Sequence, residues 1–175
     1  MKKITVLLAD DHTIVREGFR KMLELEGDFE VVGEAQDGRQ AIALVQKLRP
    51  AVVLMDIAMP QLNGLEAARQ MIKAVPATKV LMLSAHSDHA YVENAIESGA
   101  RGFLLKHTSA HDVCRAIREV QKGNTFFSPS IARRLDRLEP QTPDRTGRLN
   151  KKVPQLTSRE MEVVHNPEIE SWLNQ

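Results

Sequence analysis

Residues 51–56, AVVLMD, decide the fold of this chain. Five apolar residues follow Pro50 without interruption, and the run ends at a carboxylate, Asp56. An apolar run of this length is typical of a strand that is buried on both faces of a parallel sheet. Residues 4–9, ITVLLA, have the same character. Both runs are therefore predicted as central strands, each followed by acidic residues.

Five β-rich runs alternate with helical patterns between residues 4 and 121. Regular βα alternation predicts a parallel sheet with helices on both faces and right-handed crossovers. In the first helix, Ile14, Val15 and Phe19 are placed on the apolar side, and Ser87 is predicted to cap the fourth helix. The predicted strands are 4–9, 29–35, 51–55, 79–83 and 101–105, and the predicted helices are 13–25, 38–48, 62–74, 88–98 and 109–121.

Composition excludes several classes of protein. The 175 residues allow one domain of full size and a smaller second part, and the net charge of +1 gives no sign of disorder or of a nucleic-acid or membrane partner. The single Cys114 excludes an intramolecular disulfide, and we expect it to be a small packing residue in a reducing compartment. No apolar run approaches the ~20 residues of a membrane span. A cytoplasmic protein is therefore expected.

Polar side chains follow four of the five predicted strands. Asp10 and Asp11 follow the first, Asp56 the third, Ser84 the fourth and Lys106 the fifth. In an open parallel sheet, ligands bind beyond the carboxyl ends of the strands, at the point where strand order reverses. We therefore expect these five residues to converge on one crevice.

The chemistry of this set points to phosphoryl transfer. Three neighbouring carboxylates raise one another's pKa values and require a cation. A small number of hard oxygen ligands suits Mg²⁺, which keeps several waters. Lys106 adds a fixed positive charge and Ser84 a hydroxyl donor. Aspartate is a known nucleophile for phosphoryl groups, whose transfer depends mainly on positioning and charge neutralisation.

Five motifs, in this order, resemble the receiver domain of bacterial response regulators. They are LADD at 8–11, VLMDIAMP at 53–60, NG at 63–64, LSA at 83–85 and GFLLK at 102–106. The resemblance covers residues 1–121. It implies an α/β, flavodoxin-like (βα)5 doubly wound parallel sheet with strand order 2-1-3-4-5, followed by a short helical tail. It also implies a phosphoacceptor signalling protein of a two-component phosphorelay. A sensor histidine kinase or a small phosphodonor would supply its phosphoryl group.

The resemblance assigns a role to each acid. Asp56 is implied to be the phosphoacceptor. Asp11 and Asp56, with the backbone carbonyl of Ala58, are implied to bind Mg²⁺ directly, whereas Asp10 acts through a water. An aspartate-based phosphatase is excluded, because it needs a second Asp where this chain has Ala58. Any turnover would be slow loss of the protein's own phosphoryl group.

The remaining positions of the resemblance concern signalling. Lys106 is implied to pair with the phosphoryl group and Ser84 to hydrogen-bond it, while Phe103 is a switch that turns inward when Ser84 moves. This chain has Phe at that position, where Tyr is commonest, and His107 follows the lysine, where Pro is frequent.

Two histidines lie close to the same loop. His86 and His89 suggest a metal site, but no Cys or His partner has ligand spacing, so both are predicted as exposed loop residues. His86 lies two residues after Ser84, and Ala58 lies two residues after Asp56. In receivers, these two positions modulate dephosphorylation.

The last 54 residues have a different pattern. Residues 122–155 are predicted as a basic linker with one short helix near 129–138. Residues 156–164, LTSREMEVV, resemble the opening of a LuxR/NarL-type helix-turn-helix domain, and 156–175 are predicted as an incomplete remnant of it. A natural truncation, a frameshift and an engineered fragment remain open.

Two functions remain open for that reason. The protein controls transcription through a LuxR-type output domain, or it acts as a stand-alone receiver. In the second case it is a phosphoryl sink or a dimerisation partner, as a homodimer or with other regulators. Any DNA binding would then come from the basic linker, and it would be non-specific and salt-sensitive.

Overall fold

The computed structural model describes residues 2–127 and Arg133. Within these residues a parallel sheet is flanked by five helices. The strands are β1 Ile4–Ala9, β2 Phe29–Ala35, β3 Val52–Asp56, β4 Lys79–Ser84, β5 Gly102–Leu105 and β6 Phe126–Phe127. The helices are α1 Thr13–Glu26, α2 Gly38–Leu48, α3 Gly64–Ala74, α4 His89–Glu97 and α5 Ala110–Gln121.

The strands lie in the order β2-β1-β3-β4-β5-β6, and each neighbouring pair is parallel. The first five have the order predicted for a flavodoxin-like sheet, so the doubly wound α/β prediction is confirmed. The order reverses between β1 and β3, because the chain first extends the sheet to β2 and then returns to the other side of β1. This reversal leaves a crevice beyond the carboxyl ends of β1 and β3.

Two hydrophobic cores separate the sheet from its helices. Successive side chains of a strand point to opposite faces, so the apolar strands feed both cores. On β3, for example, Val53 and Met55 join α2, α3 and α4 on one face, whereas Val52 and Leu54 join α1 and α5 on the other. This two-sided burial explains why the strands are apolar throughout.

Helices α3 and α4 begin at positions that differ from the predictions. The helix predicted from residue 62 begins at Gly64, because the Asn63 side chain accepts a hydrogen bond of 2.9 Å from the Glu66 amide. The cap of α4 is Asp88, so the prediction that Ser87 caps this helix was wrong. Ser87 lies one residue too early to take the N-cap position.

One strand was missed and one side chain was misplaced. Phe126–Phe127 forms β6 at the edge of the sheet, where only two residues pair with β5. A two-residue strand is too short for alternation to be seen in the sequence. Ile14, predicted on the apolar side of α1, is 82% exposed, because it lies near the start of the helix and points away from the sheet.

The predicted linker helix and the helix-turn-helix remnant lie outside the described residues, apart from Arg133 and the first residues after α5. In the described part of the chain, no helix has both the length and the apolar character to cross a membrane.

Candidate functional site

Four strand ends build the site. Asp10 follows β1, Asp56 ends β3, Ser84 ends β4 and Lys106 follows β5. The ammonium Nζ of Lys106 lies 2.8 Å from Asp10 Oδ2 and 3.1 Å from Asp56 Oδ2. The lysine therefore bridges two acids that are 46 residues apart in the sequence.

The acids of this crevice are taken out of water. Asp10 and Asp56 are 3% and 2% exposed, and their Oδ2 atoms lack a well-aligned hydrogen-bond donor. Burial raises the pKa of Asp56 to about 7; the charge of Lys106 acts against this rise and that of Asp10 adds to it. Burial opposes the charge on Lys106, but the attraction of Asp56 and Asp10 prevails and raises its pKa. The site thus has more negative charge than one lysine neutralises.

The backbone around Asp56 is held by the neighbouring strand and by α3. The Ile57 amide donates to Leu83 O at 3.1 Å, and the Gly64 amide donates to Ile57 O at 2.9 Å. A Cβ on Gly64 would overlap the carbonyl oxygen of Asp56 and lie 2.9 Å from Met55 Cγ. Glycine is therefore required here by close backbone approach. The Asn-Gly motif at 63–64 was visible in the sequence, but this role of the glycine was not predicted from it.

His12 and Arg16 also belong to the site, and sequence analysis missed both. His12 Nδ1 lies 3.0 Å from Asp10 Oδ1 and 2.9 Å from Asp11 Oδ1. Arg16 is 5% exposed, and its Nη1 donates to Asp10 O at 2.6 Å. The available signal was a charged residue on the buried side of α1, three residues before Phe19.

Ser84 and Phe103 lie on the β4–β5 side of the crevice. Ser84 Oγ accepts a hydrogen bond of 3.0 Å from the His86 amide. Phe103 is fully buried, with Met82 of β4 and Phe127 of β6 as its register partners. The side chain of Phe103, which the resemblance implies to be the switch, is thus in the inward position.

The two loop histidines differ from their prediction. The ring of His86 is half-buried and stacks on Tyr91, with 6.3 Å between ring centroids. His89 is exposed, but it is the first residue of α4, and its Nδ1 lies 2.9 Å from Glu93 Oε1. Packing on Tyr91 explains why His86 is less exposed than a loop position suggests.

The donor set suits a divalent cation. Asp10, Asp11, His12 and Asp56 each offer a ligand atom, and these atoms all lie within 4.8 Å of one another. The buried Asp11 Oδ1 and Asp56 Oδ2 lack well-aligned hydrogen-bond donors. A hard cation such as Mg²⁺ prefers carboxylate oxygens as ligands, and these oxygens are not occupied by well-aligned hydrogen-bond donors. The side chains present are therefore suited to bind Mg²⁺.

Comparison with known proteins agrees with this geometry. Residues 6–118 match the response regulator receiver domain family. The chain is 42% identical over 133 residues to the transcriptional regulatory protein DegU of Brevibacillus brevis, which covers 76% of this chain and 56% of DegU. It is 36% identical over 164 residues to the response regulator protein VraR of Staphylococcus aureus, which covers 92% of this chain and 74% of VraR.

A solved structure shares both fold and sequence. The signal receiver domain of the response regulator NarL of Mycobacterium tuberculosis superposes with a TM-score of 0.68 and 38% identity, covering 71% of this chain and all of that one. The chain spans less than two thirds of the length of DegU. From the family match, the relatives and the shared fold, we conclude that the chain belongs to the response-regulator receiver family and is of the LuxR/NarL type.

Proposed function

We propose that the protein accepts a phosphoryl group on Asp56 from a sensor histidine kinase. The observation that carries the proposal is the geometry of Asp56 Oδ2, which is buried, lies 3.1 Å from the Lys106 ammonium and lacks a well-aligned hydrogen-bond donor. This oxygen is available as a nucleophile, and a positive charge lies where negative charge would develop during transfer.

The chemistry follows from the residues around that oxygen. A lone pair of the Asp56 carboxylate forms the new O–P bond, and the bond between phosphorus and the kinase histidine nitrogen breaks, with its electron pair passing to the imidazole. Lys106 neutralises charge on the phosphoryl oxygens, and the Ser84 hydroxyl donates to one of them. Positioning and charge neutralisation are the main requirements of such a transfer.

The metal ligands follow the same proposal. Asp11 and Asp56, with the carbonyl of Ala58, hold Mg²⁺ directly, and Asp10 acts through a water. The Mg²⁺ ion, when bound, supplies charge neutralisation to the transferring phosphoryl group. Buried carboxylate oxygens that lack aligned donors support this assignment.

Phosphorylation then shifts the balance between two arrangements of the face formed by α4, β5 and α5. Both arrangements pre-exist in this view, and contacts of the phosphoryl group with Ser84 and Lys106 bias their populations. Ser84 pairs with Leu105, two residues after Phe103 on β5, and Phe103 pairs with Phe127 of β6. In this proposal a movement of Ser84 reaches the face through Phe103. Amide spectra that are identical with and without a phosphoryl mimic would contradict the proposal.

For the output, we propose control of transcription, because DegU is a transcriptional regulatory protein by name and VraR a response regulator. The second candidate is a stand-alone receiver that acts as a phosphoryl sink or dimerisation partner, and it is favoured by Pro167, which interrupts the helical pattern three residues after Val164. A gel-shift assay across salt concentrations separates the two. Sequence-specific binding supports transcription control, whereas binding that is only non-specific and salt-sensitive supports the stand-alone receiver.

The decisive experiment is incubation with Mg²⁺ and a small acyl phosphate, followed by intact-mass measurement. We expect the mass of one phosphoryl group to be gained, and Asp56→Asn to abolish the gain. Asp37→Asn is the matched control, because Asp37 is also buried but its side chain accepts a hydrogen bond from the Gln40 amide at the start of α2. No gain in the unchanged protein would contradict the proposal. Changes at Ala58 or His86 are expected to alter the lifetime of the phosphorylated form.

A further inference from the structure

His12 directs its ring into the carboxylate cluster. It precedes α1, yet its side chain makes no capping hydrogen bond to that helix. Instead Nδ1 contacts Asp10 Oδ1 and Asp11 Oδ1 at 3.0 and 2.9 Å. Helix capping therefore does not account for the position of the ring.

The 2.9 Å between His12 Nδ1 and Asp11 Oδ1 is the spacing of neighbouring ligands around one ion. Adjacent ligands of an octahedral ion with bonds of about 2.1 Å are separated by about 3.0 Å. Nδ1 shares a hydrogen bond with Asp10 Oδ1, whereas Asp11 Oδ1 is buried without a well-aligned donor. A cation beside the ring would contact Nδ1 and Asp11 Oδ1 directly, and Asp10 would act through a water as in the proposed function.

Asp10 divides its two oxygens between the two sides of the site. Its Oδ2 faces Lys106 at 2.8 Å, and its Oδ1 faces His12. The lysine therefore neutralises one side of the cluster only. The side that faces His12 combines a ring nitrogen with carboxylate oxygens, and a mixed set of this kind suits transition ions better than Mg²⁺.

We infer that His12 supplies a nitrogen ligand to the bound cation and shifts the site towards transition ions such as Mn²⁺ and Co²⁺. The inference rests on the proposed function, which supplies Asp11 and Asp56 as the carboxylate ligands. Imidazole adds little affinity for Mg²⁺ and more for ions later in the first transition row. The contribution of His12 therefore grows from Mg²⁺ to Mn²⁺ to Co²⁺.

The test is calorimetric titration of the full chain with Mg²⁺, Mn²⁺ and Co²⁺ in the absence of a phosphodonor. We expect His12→Ala to weaken Co²⁺ binding by about tenfold or more and Mn²⁺ binding by less, while Mg²⁺ affinity changes by less than about threefold. His111→Ala is the matched control, because this exposed histidine lies 3.8 Å from a single acid, Asp112. It should leave all three affinities unchanged.

Two further measurements make the result decisive. Pulsed electron paramagnetic resonance of the Mn²⁺-loaded protein should show coupling to an imidazole ¹⁴N that is lost in His12→Ala. His12→Asn, which keeps a residue favoured at the start of a helix, should lose the same coupling and the same Co²⁺ affinity. Absence of coupling in the unchanged protein, or equal losses for all three ions, would overturn the inference.

The outcome is separable from that of the proposed function. Nitrogen coupling in a protein that gains no phosphoryl mass would contradict the proposed function alone. Phosphoryl gain with Mg²⁺ but without nitrogen coupling would contradict the role of His12 alone.

Discussion

Gly64 lies against the peptide of Asp56, at the start of α3. A Cβ at this position would overlap the Asp56 carbonyl, which is backbone and cannot turn away as a flexible side chain could. We expect Gly64→Ala to lower the free energy of unfolding by about 1–3 kcal/mol and to slow phosphoryl gain, because Asp56 must shift. Urea denaturation and the rate of mass gain measure the two effects.

Gly18 is the control for this substitution. It lies inside α1, where an added Cβ would meet nothing within 4 Å. Gly18→Ala should therefore raise the free energy of unfolding by about 0.5–1 kcal/mol, because alanine favours the helix. Equal effects of the two substitutions would show that Gly64 is not constrained by Asp56.

Lys106 is the positive charge that compensates two buried acids. We expect Lys106→Met to lower the free energy of unfolding of the metal-free protein by about 3 kcal/mol, because Asp10 and Asp56 then lose their counter-charge. Added Mg²⁺ should recover part of the loss. Lys122→Met, which removes an exposed partner of Glu119, is the control and should change little. Similar losses in the two variants would argue against the bridging role.

Strand β6 connects the end of α5 to Phe103, the proposed switch residue. Phe127 pairs with Phe103, and Gly102 allows the Phe126 backbone to approach β5 closely. Gly102→Ala would overlap Phe126 O and place a methyl group 2.6 Å from Leu81 Cδ1. We expect this variant to detach β6 and to speed amide exchange at Phe126, whose amide donates to Arg101 O at 2.9 Å. Unchanged exchange at Phe126, with β5 amides as the internal reference, would contradict the prediction.

Helix α4 contains an unpaired buried amide. Asn94 is 1% exposed, and neither its Oδ1 nor its Nδ2 has a hydrogen-bond partner. An unpaired amide costs free energy in the arrangement that buries it, so Asn94→Leu should raise the free energy of unfolding by about 1 kcal/mol. Asn63→Leu should lower it by about 1 kcal/mol, because the α3 cap is lost. A destabilised Asn94→Leu variant would show that the amide is not a cost.

How far the sequence predicts these elements depends on which physical signal formed them. Long apolar runs and glycine or proline stops indicated the order of the five main strands, because burial on both faces leaves a continuous pattern. Asp10, Asp56 and Lys106 were predicted as site residues because each is the polar residue at which a continuous apolar run ends, at the carboxyl edge of the sheet. Arg16 and β6 were missed, because their places depend on Glu34 and on β5, which are distant in sequence. His12 was missed although its partners Asp10 and Asp11 directly precede it, because a local pattern does not show where its ring points.

In the whole molecule, the buried acids Asp10 and Asp56 lie at the ends of strands whose other side chains are mostly apolar and buried. The apolar strands β1, β3 and β4 support the site, since nearly all of their side chains are buried in the two cores. Burial of Asp56 raises its pKa to about 7, and the folded state therefore holds a proton that the unfolded chain releases near pH 4. In the metal-free protein, the ionised carboxylate that the proposed phosphoryl transfer needs is therefore the form of Asp56 that destabilises the fold.

This opposition gives a pH dependence with a definite sign. Because the folded-state pKa of Asp56 is raised, its contribution favours folding at low pH and is lost as the pH rises from about 4 to about 7. In a chelator, we expect the free energy of unfolding to fall by about 2–4 kcal/mol between pH 5 and pH 7.5, at most about 1.4 kcal/mol per pH unit. Arg118 lowers the pKa of Asp28, and at Glu34 burial opposes the effect of Arg20 and Arg16, which nevertheless lower its pKa. Both groups act in the opposite direction, mainly below about pH 4.5, outside this window. Urea titrations at several pH values measure the slope, which Asp56→Asn should flatten and which saturating Mg²⁺ should reduce by binding the ionised form. A slope that is the same in Asp56→Asn would assign it to other groups and would refute the raised pKa of Asp56.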